Sequence, residues 1–154
     1  MRIRTAASPD ADAITRLINL AFQVERFFID DDRIGIQEVQ QRLGTGRFLL
    51  AEDGDGLAGC AYVELQGERA YLGLLSVDPA RQNTGIGKQL VFAAEEHARN
   101  AGCRFMDLRI VNLRRELPGF YARLGYIEDG TSPFPEHARP KQPCHFVNMS
   151  KALA

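Results

Sequence analysis

Apolar positions along this chain switch repeatedly between a period of about two and a period near 3.6, the marks of half-buried strands and one-faced helices. Ile3 and its neighbours read as a short first strand. Ser8-Pro9-Asp10 then carries the signals of a helix start: a hydroxyl cap, a proline in the first turn and an acid near the positive end. Ile14, Leu17, Ile18 and Phe22 give that helix one apolar face. Gln37 to Leu43 predicts a second, shorter helix stopped by Gly44. Phe48 to Ala51 and Leu57 to Leu65 read as strands joined by a hairpin turn at Asp53-Gly54-Asp55-Gly56. Gly67 sits in the next turn and Arg69 to Val77 makes another strand. A long helical pattern opens at Gly85 and ends near Gly102. A strand at Phe105 to Val111, a helix around Tyr121 and a final hairpin near Tyr126 and His145 to Lys151 complete the chain. The order β-α-α-β-β-β-α-β-α-β-β, without internal repeat, low-complexity tract or linker, predicts one α/β (α+β) domain over residues 1–154.

Composition narrows the classes of partner. A chain of 154 residues is long enough to bury a core as one domain, and 45% hydrophobic with 25% charged residues is ordinary for a globular protein. With 19 basic and 20 acidic residues the net charge is −1, so there is no footprint for nucleic acid or an anionic membrane. No apolar run is long enough to span a membrane, and Met1 to Thr5 lacks a signal-peptide core, so a cytoplasmic protein is expected. Cys60, Cys103 and Cys144 are an odd set without a C-x-x-C pair, which argues against a disulfide framework and against a metal site.

The most specific stretch runs from Val77 to Lys88, where a strand feeds a glycine-bearing turn and then a helix. First-turn N–H groups have no intrahelical partner and carry partial positive charge, so such a turn binds anions. A P-loop needs a glycine where Gln82 stands and a Ser or Thr where Gln89 stands. A dinucleotide fingerprint needs a glycine or alanine where Leu90 stands. The pattern Q/R-x-x-G-x-G/A is met in full by Gln82-Asn83-Thr84-Gly85-Ile86-Gly87. In its context, from Val77 and Pro79 through Leu90, this turn resembles the pyrophosphate-binding motif of the GNAT superfamily of acyl-CoA-dependent N-acyltransferases. Leu117 to Tyr126 resembles the late helix of that family and the start of its next strand, and the order of elements is similar along essentially the whole chain.

The resemblance implies a mixed, mostly antiparallel central sheet flanked by helices, and acetyl-CoA as co-substrate. It implies main-chain contacts to the pantetheine arm and thioester from Leu75, Ser76 and Val77, and to the pyrophosphate from Gln82, Asn83, Thr84, Gly85, Ile86, Gly87 and Lys88. The Lys88 side chain either adds charge to the phosphates or is plain surface. Phe120 and Tyr121 share a helical face, and the family's tyrosine at the second position meets the coenzyme sulfur. Two positions depart from the pattern. Asn83 replaces a common glycine, although asparagine tolerates left-handed dihedrals. Arg114 stands seven residues before Tyr121, where asparagine is frequent, so Asn112 is expected to take part of that hydrogen bonding.

Acyl transfer sets its own demands. An amine with a pKa of ~10 must lose a proton before it attacks, the thioester carbonyl becomes an oxyanion, and the thiolate, pKa about 8.5, leaves more readily when protonated. Tyr121 is the expected general acid. Glu64, the one acid in the third-strand segment, is the candidate base, with a solvent-facing strand residue as the alternative. His145 is either a second candidate base or a strand histidine without catalytic function, and His97 reads as structural or solvated. Phe27 and Phe28 are expected to line the acceptor pocket, and Asp30 to Asp32 either attract a cationic amine or form a solvated acidic turn. Gly130 to Pro135 reads as a second loop, over the same cleft or at a homodimer contact. The expected function is direct transfer of acetyl from acetyl-CoA to a primary amine of a small molecule or peptide. The alternative is a non-catalytic acyl-CoA-binding sensor or regulatory subunit.

Overall fold

A computed structural model of the chain describes residues 1–54 and 56–153. Asp55, which the sequence pattern assigns to the first hairpin turn, lies outside the described residues. The strands are β1 (Arg2–Thr5), β2 (Arg47–Asp53), β3 (Gly56–Gln66), β4 (Arg69–Val77), β5 (Phe105–Val111), β6 (Ile127–Pro133) and β7 (His145–Ala152). The helices are α1 (Ala11–Ala21), α2 (Ile36–Thr45), α3 (Ile86–Asn100) and α4 (Leu117–Arg123). The strands form one sheet in the order β1-β2-β3-β4-β5-β7-β6. Every pairing is antiparallel except β4 with β5, which the α3 crossover makes parallel.

Alternation along the strands sends side chains to two cores. On one face Leu49, Ala61, Val63, Leu72 and Met106 pack under Ile86, Leu90, Val91 and Ala94 of α3 and Tyr121 of α4. On the other, Phe48, Leu50, Cys60 and Tyr62 pack under Ile14, Leu17 and Ile18 of α1 and Val39 of α2. Strand β2 is buried on both faces, which explains its unbroken run Phe48-Leu49-Leu50-Ala51.

The observed elements depart from the sequence pattern in three places. Ser8–Asp10 is a separate 3-10 turn, not the first turn of α1, because the Asp10 carboxylate is drawn to Arg4 at 2.7 and 2.9 Å and to the Ala7 amide at 2.8 Å. Helix α2 continues through Gly44 to Thr45, since one helical glycine costs only about 1 kcal/mol and α2 is held by packing. It ends where the Gly46 backbone passes the Tyr62 ring so closely that a Cβ would lie 2.5 Å from the hydroxyl oxygen. Gly130 to Pro133 is not a loop: it pairs with Asn148 to His145 of β7. Pro133 is tolerated because β6 is an edge strand and has one side without partners.

Candidate functional site

Strands β4 and β5 pair only at Arg69↔Phe105, Ala70↔Met106 and Tyr71↔Asp107. Each then continues on its outer neighbour, β4 to Gly59↔Val77 and β5 to Val111↔Phe146. A gap therefore opens inside the sheet between Leu72–Val77 and Leu108–Val111, and the facing strand edges lose their cross-strand partners. Strand β4 also carries an extra residue, because pairing passes from Cys60↔Ser76 to Tyr62↔Gly73. The bulge holds Leu74 at φ 54°, left-handed backbone that costs a branched residue about 1–2 kcal/mol. Burial of Leu74 and a hydrogen bond of 2.9 Å from the Ser76 hydroxyl to its carbonyl oppose that cost. The Cys60 thiol beneath the bulge is buried and pushed up to about 12, so it stays protonated and is no nucleophile.

Beyond Val77 the chain turns sharply. The Asp78 amide donates to the Ala58 carbonyl at 2.8 Å, and the Asp78 carboxylate accepts from the Ala80 amide at 2.9 Å. Asn83 at φ 66° and Gly85 at φ 85° both take left-handed backbone, which allows the chain to enter α3 without a side-chain cap. Among the described residues the amides of Ile86, Gly87 and Lys88 have no acceptor. Ile86 contributes only its amide, since its side chain is in the core, while Gln82 to Gly85 are exposed. Lys88 lies along the flank of α3, with Nζ 5.7 Å from the centre of the Phe92 ring. Gly87 and Phe120 approach across the turn, within van der Waals range for a Cβ (3.6 Å).

Helix α4 brings Tyr121 to the same region. Its ring is buried, 7% exposed, edge-on to Phe120 and Tyr126. Among the described residues its hydroxyl has no partner, and none of their side-chain oxygens is both sealed and unpartnered, so the hydroxyl reaches open space. Burial raises its pKa above the ordinary phenol value, and the charge of Arg114 works against that rise. Arg114 itself pairs with Glu25 at 2.9 Å and Glu116 at 3.2 Å. Burial raises the pKa of the Glu25 carboxyl, opposed by its hydrogen bond from Arg114.

A family model described as acetyltransferase (GNAT) family matches residues 11–126, three quarters of the chain and the whole of the gap, turn and α4. The chain belongs to the GNAT family. Glucosamine 6-phosphate N-acetyltransferase 1 of rice (Oryza sativa subsp. japonica) is 34% identical over 90 residues, 58% of this chain and 52% of its own length. Mycothiol acetyltransferase of Actinosynnema mirum is 30% identical over 121 residues, 76% of this chain and 41% of its own length. The chain thus spans about half the length of the curated relatives it matches. An aminoglycoside 6'-N-acetyltransferase solved with coenzyme A superposes with a TM-score of 0.78 at 18% identity, covering 100% of this chain and 98% of that one.

The other expected GNAT site residues fall in different surroundings. The buried Ser76 hydroxyl is spent on Leu74, and Leu75 and Val77 border the α3 core. Asn112 is tied across to β7: its amide donates to the His145 carbonyl and its side-chain oxygen accepts from the His145 amide, both at 2.9 Å. Phe27 is 51% exposed, but Phe28 is sealed at 0% and so has no surface to offer an acceptor. The α1–α2 segment folds its second ring inward while Lys141 closes over it, donating its amide to the Phe28 carbonyl at 2.6 Å. Glu64 shares the α1–α2 face with Tyr71, its partner on β4. Its carboxylate accepts from the Tyr62 hydroxyl at 2.6 Å and from Gln66 at 2.9 Å, which holds its pKa below the usual carboxylate range. On that face Arg69, Tyr71, Asp107, Arg109, Asp129, Ser132 and Asn148 border a groove of about 400 Å³. Sequence reading missed the Leu74 bulge, Glu25 and Gly59, where a Cβ would lie 2.9 Å from Ile86 Cγ2. Only Gly59, a glycine inside a strand pattern, carried a local signal.

Proposed function

We propose that the protein is an N-acetyltransferase that moves acetyl from acetyl-CoA to a primary amine by direct transfer. One observation supports this above the rest: the gap between β4 and β5 runs to a helix start whose first amides have no acceptor among the described residues. The donor set fits the co-substrate. Amides from Gln82 to Lys88 suit a pyrophosphate, and the free edges of Leu75, Ser76 and Val77 suit the amide-bearing pantetheine arm. Main-chain donors released by the Leu74 bulge are available to an oxyanion.

Tyr121 acts as general acid. Its raised pKa keeps the hydroxyl protonated at neutral pH. Because a phenol above its usual range is a weaker acid than a thiol of pKa about 8.5, full surrender of its proton is uphill; Tyr121 assists by donating a hydrogen bond that strengthens as charge builds on sulfur, and the coenzyme departs as the hydrogen-bonded thiolate. Glu64 remains ionised and accepts the amine proton through water on the acceptor side. The names of the two relatives favour a small-molecule amine over a peptide.

Acetyl-CoA at a hundredfold excess over its Kd is expected to raise Tm by roughly 5–11 °C, with no such shift from ATP or NAD. Tyr121→Phe is expected to lower kcat about a hundredfold while leaving the acetyl-CoA Kd within about twofold. Transfer at the parent rate would remove Tyr121 as the acid. A Tm shift with acetyl-CoA but no transfer to any amine would establish the sensor instead.

A further inference from the structure

We infer that Arg109 anchors an anionic group on the acceptor, so that the acceptor is an amine also bearing a carboxylate or a phosphate. This rests on the transferase reading and names its substrate class. Arg109 lies on β5 two residues past Asp107, the last residue paired with β4, and so borders the gap itself. Strand alternation and the pairings Tyr71↔Asp107 and Arg109↔Asn148 put it on the acceptor face, in the groove of about 400 Å³. That volume lies within the usual range for small-molecule sites.

The posture of the side chain sets it apart from an ordinary surface arginine. Its guanidinium carbon lies 4.6 Å from the centre of the Phe146 ring and 5.8 Å from that of Tyr71. Cation–π attraction holds the guanidinium over these ring faces, and its planar fork of N–H donors suits bidentate anion recognition. Among the described residues no carboxylate or carbonyl accepts from Arg109. The second arginine of the groove is already committed, because Arg69 makes a two-pronged contact with Asp107 at 2.7 and 2.6 Å.

Neighbouring groups complete the picture. Ser132 donates to the Asn148 side-chain oxygen at 3.1 Å, which leaves the Asn148 amide hydrogens as further donors beside Arg109. With Arg69 and Asp107 cancelling, Arg109 and Asp129 are the remaining charges of the groove, one of each sign. A molecule carrying both an ammonium and an anion matches that pair, and a simple monoamine does not.

The test compares amines that differ only in the anion: O-phosphoethanolamine with ethanolamine, glucosamine 6-phosphate with glucosamine, and β-alanine with β-alaninamide. The anionic member of at least one pair is expected to exceed its neutral counterpart roughly 10- to 150-fold in kcat/KM. Arg109→Gln should collapse that ratio towards one, and Arg109→Lys, which keeps charge but loses the fork, should give an intermediate value. In a separate binding readout, the Arg109 Nε–H NMR signal should move with the favoured anion and stay put with its neutral partner. Phosphate and carboxylate members distinguish the two anions. Equal rates within all pairs, or an unchanged ratio in Arg109→Gln, would overturn the inference while leaving the transferase intact. No transfer to any amine, with the Arg109 signal still responding to the anion, would instead remove the transferase reading and keep the anion site.

Discussion

Gly59→Ala tests how the sheet positions the turn proposed to hold the coenzyme. Gly59 lies on β3 opposite Val77, beneath the start of α3. A Cβ built there would be 2.9 Å from Ile86 Cγ2, 3.0 Å from Leu90 Cδ1 and 3.0 Å from the Ser76 carbonyl oxygen. The Leu90 methyl ends a flexible side chain and can swing aside. The Ile86 methyl belongs to a β-branched residue with essentially one helical rotamer, and the Ser76 oxygen is backbone. The added methyl must therefore displace the first turn of α3 or the end of β4, both of which border the proposed coenzyme site. Overpacking of this kind costs about 1–3 kcal/mol, or roughly 3–9 °C in Tm for a domain of this size. The same displacement should weaken acetyl-CoA binding beyond the stability loss, because Ile86 supplies one of the free amides. Thermal melts and isothermal titration with acetyl-CoA read the two effects separately. Gly44→Ala is the control: that glycine is inside α2, with nothing within 4 Å of a new Cβ, and the change should stabilise by about 0.5–1 kcal/mol. A Gly59→Ala protein with parental Tm and parental acetyl-CoA affinity would refute the reasoning.

Two further outcomes follow from charged groups away from the gap. Glu95 is 1% exposed on α3, accepting from the Tyr126 hydroxyl at 2.8 Å and from Lys151 at 3.0 Å. Glu95→Ala leaves both partners without their acceptor and should cost about 3 kcal/mol, some 9 °C in Tm, and a loss under 3 °C would contradict the role assigned to this network. Asp10, hydrogen-bonded first by Arg4 and then by the Ala7 amide, has a folded pKa of about 2, below its ordinary value of 3.8. A depressed carboxylate pKa means the stabilisation is fully present above pH about 4 and disappears as pH falls through about 2. Asp10→Asn should therefore melt below the parent at pH 7 and converge with it near pH 2, whereas a gap constant in pH would rule out this linkage.

Local signals along the chain decided the elements made of neighbouring residues. A strand, two left-handed positions and an uncapped helix start are all decided within a dozen residues, so the turn and the start of α3 over Gln82 to Lys88 could be read directly. The unbroken apolar run Phe48 to Ala51 of β2 is local in the same way, whereas helices on the sheet's faces were implied by the family resemblance. Boundaries were harder: packing carried α2 through Gly44, and an edge position let Gly130 to Pro133 join the sheet despite its loop-like composition. What only tertiary structure decided is the site between distant segments. Nothing near Leu74 signals its left-handed backbone, because the bulge is a register choice between β3 and β4. The pairing of Glu25 with Arg114, and the cation–π contacts of Arg109 with Tyr71 and Phe146, join residues far apart in the chain. Periodicity tells which face of its own element a side chain takes. Which other element meets that face is set by burial and strand register summed over the whole chain, and that is what brings Tyr71, Arg109 and Phe146 together.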